Sequence, residues 1–506
     1  MSLRPSQTLH RSCDQPQTIK EIMFKTTSLK LAAALALGSA AVTAQAQDAG
    51  ALVDRLVKKG ILTAQEGEEV RSDMTRDSAA TPAGKLNISN SITELKIYGD
   101  LRERYQYDNR DLQAPTTPVN SNNNQRSRFR FRLRLDAEVK LGSNFSAGFG
   151  LQTSQASDSG NQTYSGGFSN YSIFINKAYL NWTPTDWLKV TGGKFANPFY
   201  TTDLVWDPDI NPTGVAEVIA FHKMNFGATD SGYSKDGKSI APPVKSVPPW
   251  ELTLVAGQLL FDDNNEGGGL SRDNDLTSDA YLFETQLIGS YKFNNGVKVT
   301  FAPAWMTYVN GSLGQNAANP VNNENPFVDS ATVSGAARNL NLILLPGDVT
   351  TSFAGVKTKF YWDFSYNIDG RKRVENIYGL AATDPSNGNL VSRHNNQDNL
   401  AYLVGLQLGE NKKKGDWSAL VNWRRTGIGA VDPNLNDSDF ALGELNTQGI
   451  KVGAAYNFTD FCVGAVTYMH AWNLRGDLTG GQATAGQAIA DANAVEVLQV
   501  DLSIKF

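Results

Sequence analysis

The chain has 506 residues, of which 41% are hydrophobic and 19% charged, and its mean hydropathy is -0.34. This composition is too polar for a bundle of membrane-spanning helices. The 46 basic and 51 acidic residues give a net charge of -5. The chain lacks the excess of basic residues typical of nucleic-acid-binding proteins, so that class is disfavoured. Two Cys and four His are too few to predict a disulfide framework or a Cys/His metal cluster.

The first 46 residues carry the pattern of an export signal. Basic Lys25 and Lys30 precede the apolar run 31–42, which ends in Ala44-Gln45-Ala46. This order predicts a signal peptide over residues 23–46, cleaved after Ala46, and makes residues 1–22 a start-site artefact. The alternative, an uncleaved helical anchor, is disfavoured because the apolar run is shorter than the ~20 residues that a spanning helix needs.

Residues 48–71 are predicted to form a short helical segment in the periplasm. Apolar residues at helical spacing precede Gly60, and Thr63 with Glu66 forms a capping-box pattern for a second helix. Helices of this length are unstable alone, so the pair must pack on something. Residues 72–93 then read as a linker. The segment is either a periplasmic cap on the following domain or an element for trimerisation or cell-wall docking.

From residue 94 to residue 506 the dominant pattern is strict alternation of polar and apolar residues. Between 126 and 141, five arginines and three further charged residues alternate with apolar residues, and residues 498–506 repeat the pattern. Because successive strand side chains point to opposite faces, each stretch has one polar and one apolar side. Stretches of this length fit a bilayer better than a soluble sandwich. The sequence therefore predicts an all-β fold, a transmembrane antiparallel up-and-down barrel over residues 94–506.

Short turns and long polar segments alternate between the predicted strands, as in outer-membrane barrels. The count of strands is about sixteen when 214–224 is taken as one of them. One of the short turns is expected at 346–348, between strands over 340–345 and 354–362. Residues 225–249 break the rule, because this connection is long where a short turn is due. It is either a periplasmic excursion or a hidden hairpin, so the expected range is 14 to 18 strands.

Several motifs resemble the putative-porin family of Gram-negative outer membranes. They are the helical stretch 51–63, Gly193-Lys-Phe-Ala-Asn-Pro-Phe199, the run 204–212, Lys414-Gly-Asp-Trp417 and the terminal strand 498–506. The resemblance implies a β-barrel channel, often trimeric, in the cell outer membrane, with no catalytic residues and no cofactor. The terminal Phe506 resembles the signal that the barrel-assembly machinery reads.

The resemblance also suggests a pore lined by basic residues that face acids on an inward loop. If the apolar strand faces meet lipid, the opposite face carries a basic wall of Arg102, Arg104, Arg126, Arg128, Arg130, Arg132, Arg134, Lys357 and Lys359. The candidate constriction loop is 196–212, with Asp203, Asp207 and Asp209. We expect the two sets to create a transverse field that sets charge selectivity. The alternative is a hydrated inner face without solute specificity.

The leading interpretation is a porin for passive diffusion of small hydrophilic solutes or ions. Its expected partners are outer-membrane lipid and lipopolysaccharide, the assembly machinery and two further copies in a trimer, with no nucleic acid. An enzyme or metal site is not predicted, because His222, His394 and His470 lie far apart and no catalytic motif is present. The alternative is a structural barrel that anchors the envelope or mediates surface adhesion. A barrel of about sixteen strands favours the channel, because it is wide enough for an aqueous lumen.

Overall fold

A computed structural model describes residues 53, 56–63, 65–72, 89, 91–112, 124–224, 248–262, 280–309, 340–377, 399–474 and 492–506. The predicted signal peptide 23–46, the stretch 1–22 and most of the connection 225–249 lie outside the described residues. The chain divides into two units, Met1–Ser89 and Asn90–Phe506. Among the described residues, no helix is both long and apolar enough to cross a membrane.

The described part of the first unit contains helical residues at 56–58 and 65–72. Thr63 donates to the Glu66 carboxylate from its backbone nitrogen (2.8 Å) and from its hydroxyl (2.9 Å), and Glu66 N donates to Thr63 Oγ1 (3.2 Å). These reciprocal bonds are the capping box that the sequence predicts, and they satisfy backbone donors that the start of a helix leaves unpaired.

The second unit is one closed antiparallel sheet, with sixteen strands in the described residues, two of them interrupted. The strands are β1 (Ile92–Leu112), β2 (Asn124–Leu141), β3 (Phe145–Thr153), β4 (Ile173–Thr185), β5 (Leu188–Lys194), β6 (Thr213–Ala220), β7 (Trp250–Asp262), β8 (Ala280–Lys292), β9 (Lys298–Phe301 and Ala304–Val309), β10 (Asn341–Leu344 and Gly347–Phe353), β11 (Val356–Asn367), β12 (Leu400–Gly409), β13 (Trp417–Thr426), β14 (Thr447–Asn457), β15 (Cys462–Asn473) and β16 (Ala492–Lys505). Smaller elements are the two-residue strand Gln162–Thr163, the α-helix Gly370–Ile377 and the 3-10 helices Phe221–Lys223 and Phe440–Gly443.

Each strand pairs with its neighbours in chain order, and the first strand pairs with the last. Leu101 of β1 lies opposite Ile504 of β16, while Tyr105 of β1 lies opposite Phe129 of β2. The ring is therefore closed, and it leaves no edge strand with unpaired backbone groups. The predicted barrel class and a strand number within the expected range are both confirmed.

The predicted turn at 346–348 is wrong. The ladder continues on both sides of Pro346, because Ile343 pairs with Trp305 and Val349 pairs with Val299. Proline has no backbone N–H, so it interrupts a ladder without ending the strand. The chain instead reverses after β10 at Ala354 and Gly355, which have φ values of +50° and +80°. The predicted strand over 214–224 also ends early, at Ala220.

The two faces of the sheet differ as alternation predicts. Phe129 on β2 is 65% exposed, whereas the next residue, Arg130, is 2% exposed. Trp182, Trp417, Trp423, Phe458 and Phe506 are all exposed on the outer face. Aromatic side chains at strand ends on the outer face are typical of the interfacial belts of membrane barrels.

Two long connections fold into the barrel, the β5–β6 loop (195–212) and the β13–β14 loop (427–446). The largest buried apolar cluster unites these loops with the inner faces of strands between β6 and β12. Its members include Phe199, Leu204, Val205, Trp206, Ala216, Val255, Leu259, Leu282, Met306, Leu342, Leu403, Ile428, Val431 and Leu435. In a second cluster, Phe440, Ala441 and Leu442 pack on Met469, Ala471, Val495 and Val497 of β15 and β16. The β13–β14 loop therefore reaches across the interior from one wall to another.

Candidate functional site

The predicted basic wall is a cluster of arginines on the inner faces of β1 and β2. The register places Arg102 opposite Arg132 and Arg104 opposite Arg130. Like charges directly opposite one another destabilise a sheet, so this arrangement needs acidic neighbours.

Part of the compensating charge comes from the strands themselves. Asp100 of β1 accepts from Arg132 Nη2 (2.9 Å) and Arg134 Nε (2.6 Å). Asp501 of β16 accepts from Arg104 Nε at 2.7 Å and from Arg104 Nη2 at 2.9 Å. A planar guanidinium facing a carboxylate with two parallel bonds is fixed in orientation as well as in charge.

The remaining compensation comes from both inward loops. Asp209 of the β5–β6 loop lies 3.2 Å from Nη1 of Arg132 and 3.2 Å from Nη1 of Arg134. Asp439 of the β13–β14 loop lies 3.3 Å from Nη1 of Arg104. The arginine cluster thus faces two separate loops, where the sequence analysis expected one.

A third segment, the β3–β4 loop (154–172), covers the middle of the arginine cluster. Asn161 Oδ1 accepts from Arg102 Nη2 (2.5 Å), and Asn161 O accepts from Arg130 Nη2 (3.2 Å). The arginines at the two ends of the row are more accessible, since the side chains of Arg126 and Arg134 are 44% and 30% exposed. Solvent therefore reaches the arginines at the two ends of the row, whereas those in the middle contact the β3–β4 loop.

The three predicted loop acids have three different partners. Asp209 alone contacts the arginines of β2, whereas Asp203 lies 2.5 Å from Arg424 of β13 and 2.7 Å from Lys451 of β14. Burial alone would raise the pKa of Asp203, but these two cations hold that pKa below its usual range.

Asp207 ties the two inward loops to each other. Its carboxylate accepts from Ser438 N and Ser438 Oγ, both at 3.0 Å, and its own backbone nitrogen donates to Leu435 O at 2.6 Å. Burial raises the pKa of Asp207 to about 9, and the neighbouring acids Asp437 and Asp209 add to this rise.

Lys357 and Lys359 lie on β11, on the far side of the ring from the arginines. Lys357 Nζ forms an ion pair with Glu410 at 2.8 Å. Lys359 Nζ lies near the rings of Tyr200 and Tyr361, with distances of 5.9 Å and 5.8 Å to the ring centroids. The two lysines therefore belong to a different part of the inner surface from the arginine cluster.

The acids of the β13–β14 loop were not predicted from the sequence, chiefly Asp432, Asp437, Asp439 and Glu444. The segment reads as a long polar outer loop, yet it carries regularly interspersed apolar residues that a solvated loop does not need. They are Ile428, Val431, Leu435, Phe440, Leu442 and Leu445, all of which are buried. Apolar residues within a polar connection were the available signal of an inward loop.

Within the described residues, no group of three or more His, Cys, Asp or Glu side chains is arranged to hold a metal ion. The acids of the interior instead have arginine, lysine, hydroxyl and backbone partners. What this arrangement can do chemically is hold fixed charges of both signs around a path through the barrel.

A family model described as putative porin matches residues 87–332 and 312–506. The chain therefore belongs to the putative-porin family of Gram-negative outer membranes. Its place is the outer membrane, and its class is that of β-barrel channels.

Solved structures of porins are similar to this chain at low sequence identity. OmpF of Salmonella typhi, solved with daunomycin, is 10% identical, with 83% of this chain and 99% of that chain covered and a TM-score of 0.40. The anion-selective porin of Comamonas acidovorans is 12% identical, with 82% and 99% covered and a TM-score of 0.40. OprB of Pseudomonas putida is 10% identical, with 81% and 94% covered and a TM-score of 0.42. No curated protein sequence matches the chain.

Proposed function

We propose that the protein is a porin through which small hydrophilic solutes or ions diffuse passively, and that the contacts between the arginine cluster and the two inward loops set its charge selectivity. The observation that carries the proposal is the position of Asp209, an acid from a loop, between Arg132 and Arg134 of the barrel wall. Arg134 is also accessible to solvent, so a passing ion would meet this pair.

The physical basis is the fixed charge of a narrow polar path. A barrel of this size leaves an aqueous lumen, and the inward loops fill part of it. Because the apolar cluster fixes both loops to the strands between β6 and β12, their acids are held opposite the arginines. Fixed charges of both signs beside a narrow path create a field that favours one sign of ion and orients dipolar solutes.

The test is single-channel recording of the purified mature protein in planar bilayers with a salt gradient. Arg134→Gln is expected to shift the reversal potential toward cations, and Asp209→Asn is expected to shift it toward anions. Lys140→Gln is the matched control, because Lys140 lies on the same face of β2 but pairs with exposed Glu94. If the two variants behave like the control, the pair does not set selectivity.

A more severe variant tests the covered part of the arginine row. In Arg130→Ala combined with Arg132→Ala, the β3–β4 loop loses a donor and Asp209 loses one of its two arginines. We expect both a change in selectivity and greater current noise. Unchanged selectivity would mean that the row is only a hydrated inner face.

The proposal extends to export and assembly. It includes cleavage of the signal after Ala46, contact with lipopolysaccharide, association into trimers and reading of Phe506 by the barrel-assembly machinery. Support for the last point is that Gly99 N donates to Phe506 O (2.9 Å) and Phe506 N donates to Gly99 O (3.1 Å), so the terminal residue helps close the ring. Silence of correctly folded protein in bilayers would favour the alternative, a structural barrel that anchors the envelope or mediates adhesion.

A further inference from the structure

Lys359 is a cation of the barrel interior that is only loosely paired with the described carboxylates. Its ammonium makes no hydrogen bond to any described residue, and the ion-pair partner it has there, Asp348 Oδ1, is 4.0 Å away. The side chain is 37% exposed, and it alternates with outward Phe360, so it faces the interior. An ammonium carries three donors, and these remain available for a ligand.

Asp348 is already engaged by other groups. It accepts a hydrogen bond from the Tyr200 hydroxyl and another from Thr350 Oγ1 at 2.8 Å, and it is buried. The main contact of this acid is therefore its hydrogen bond to Tyr200, and its ion pair with Lys359 is long.

Two aromatic rings flank the Lys359 ammonium, Tyr200 from the β5–β6 loop and Tyr361 from β11. Tyr200 is held at its backbone, since Tyr200 N donates to Gln286 Oε1 (2.7 Å) and Gln286 Nε2 donates to Tyr200 O (2.8 Å). The position of Tyr200 is therefore fixed by contacts that do not involve the lysine.

Tyr361 is positioned by β12 and β13. At Gly405 of β12 a Cβ would lie 2.3 Å from Tyr361 Cζ, so the ring occupies the space that a side chain would take. The Tyr361 hydroxyl accepts from Asn422 Nδ2 (3.2 Å), and its own hydrogen has no acceptor in the part of the chain that the structure describes. The hydroxyl therefore lies over β12 and toward β13, whereas Asp348, the ion-pair partner of Lys359, lies on β10.

We propose that Lys359, Tyr200 and Tyr361 form a subsite inside the channel that binds small aromatic monocarboxylates. The ligand carboxylate accepts from the Lys359 ammonium, and the ligand ring contacts the tyrosine rings. A single ammonium can pair with one carboxylate, and the two tyrosine rings beside it favour an acid that carries an aromatic ring. The site rests on the proposed function, because it places a solute on the path through the channel.

The test measures binding directly, by calorimetry on the folded, detergent-solubilised protein, with benzoate and cyclohexanecarboxylate as probes. The two acids have the same charge and similar size, but only benzoate has an aromatic face. We expect benzoate to bind about two- to tenfold more tightly, as aromatic pairing provides. Equal affinities would overturn the proposal.

Variants separate the charge from the rings. Lys359→Met is expected to weaken benzoate binding by about tenfold, because a charge-assisted hydrogen bond is lost. Lys357→Met removes the same charge two residues away, where Glu410 is the partner, and should retain the preference for benzoate. Tyr361→Phe should also retain it, whereas Tyr361→Leu should reduce it. An unaffected preference in Tyr361→Leu, or unaffected affinity in Lys359→Met, would contradict the subsite.

Folding of each variant is checked by its heat-dependent mobility on denaturing gels, which distinguishes a closed barrel from an unfolded chain. Conductance is measured separately, so that the two proposals can fail independently. Open channels without a preference for benzoate would overturn the subsite alone. Benzoate binding by a barrel that conducts no ions would support the subsite and overturn the channel.

Discussion

Asp203 forms an ion pair with buried Arg424 that joins the β5–β6 loop to strand β13, with 2.5 Å between Oδ1 and Nη2. Lys451 of β14 lies 2.7 Å from the other oxygen of Asp203, and Asp437 lies 3.4 Å from both cations. The Arg424 guanidinium also lies 4.5 Å from the ring centroid of Phe440. Two loops and two strands therefore meet at one group of four charges.

The first prediction concerns Arg424. Arg424→Met leaves Asp203 and Asp437 sharing Lys451, and removing one partner of a buried pair typically costs about 3–5 kcal/mol. We expect faster hydrogen exchange across residues 195–212 and 427–446, together with noisier open-channel currents. The control is Arg425→Met, on the opposite face of the same strand. Similar exchange in the two variants would show that the charge cluster does not hold the loops.

The second prediction concerns pH and Asp207. Its pKa in the folded protein is raised to about 9, chiefly by burial, above the ordinary value of 3.8. The folded protein therefore keeps a proton that the unfolded chain loses, so this contribution to stability is complete below about pH 4 and declines up to about pH 9. Hydrogen exchange of residues 427–446, corrected for the intrinsic rate, should increase between pH 6 and pH 9.

Asp207→Asn provides the comparison, because its side chain stays neutral. The exchange of this variant should depend less on pH, so its protection relative to the native protein should improve as pH rises. If hydrogen exchange depends on pH equally in the native protein and the variant, the pH dependence comes from other acids of the interior.

The third prediction concerns closure of the barrel at Gly99. A Cβ at this position would lie 2.2 Å from Arg134 O and 2.9 Å from the Phe506 ring. Gly99→Ala should therefore lower the yield of closed barrel on refolding, measured by heat-dependent gel mobility. Gly192→Ala in β5 is the control, since a Cβ there meets nothing within 4 Å. Equal yields would mean that the terminal strand accommodates the methyl group by shifting.

The fourth prediction concerns a buried hydrogen bond between a loop and the wall. Trp206 Nε1 donates to Glu284 Oε2 at 3.0 Å, and both side chains are almost fully buried. Trp206→Phe leaves this carboxylate without its donor, which should destabilise the loop by about 1–3 kcal/mol. Adding Glu284→Met should recover part of the loss, as a double-mutant cycle would measure. Additive effects would show that the bond makes no net contribution.

The strands were predictable where alternation is local. In β2 and β16 polar and apolar residues alternate, so the sequence of each strand alone shows which residues face the lipid and which face the interior. Strand β10 was misread because the Pro346-Gly347 pair has the composition of a turn, while its pairing with β9 and β11 depends on residues far away in the chain. The local sequence around a proline does not show whether that proline interrupts one hydrogen bond of a ladder or ends the strand.

The candidate site was predictable in composition but not in pairing. The basic residues follow from alternation, and the first acidic loop was suggested by the resemblance to porins together with its three aspartates. Which cation each acid contacts does not, because Asp203 and Asp209 are six positions apart and yet contact cations on different strands, β13 and β2. That choice depends on how the β5–β6 loop packs its apolar residues against the inner wall, which is a tertiary property.

Because of the apolar cluster between the two loops and strands β6 to β12, the wall and the interior of this barrel are stabilised by different interactions. The outer wall is held by lipid and by the closed ladder, whereas the interior cluster is held by exclusion of water, as in a soluble protein. Denaturant should therefore release the loops before the wall opens, so unfolding proceeds in two steps. Substitutions within the cluster can then change the bore of the channel while leaving the insertion of the barrel into the membrane intact.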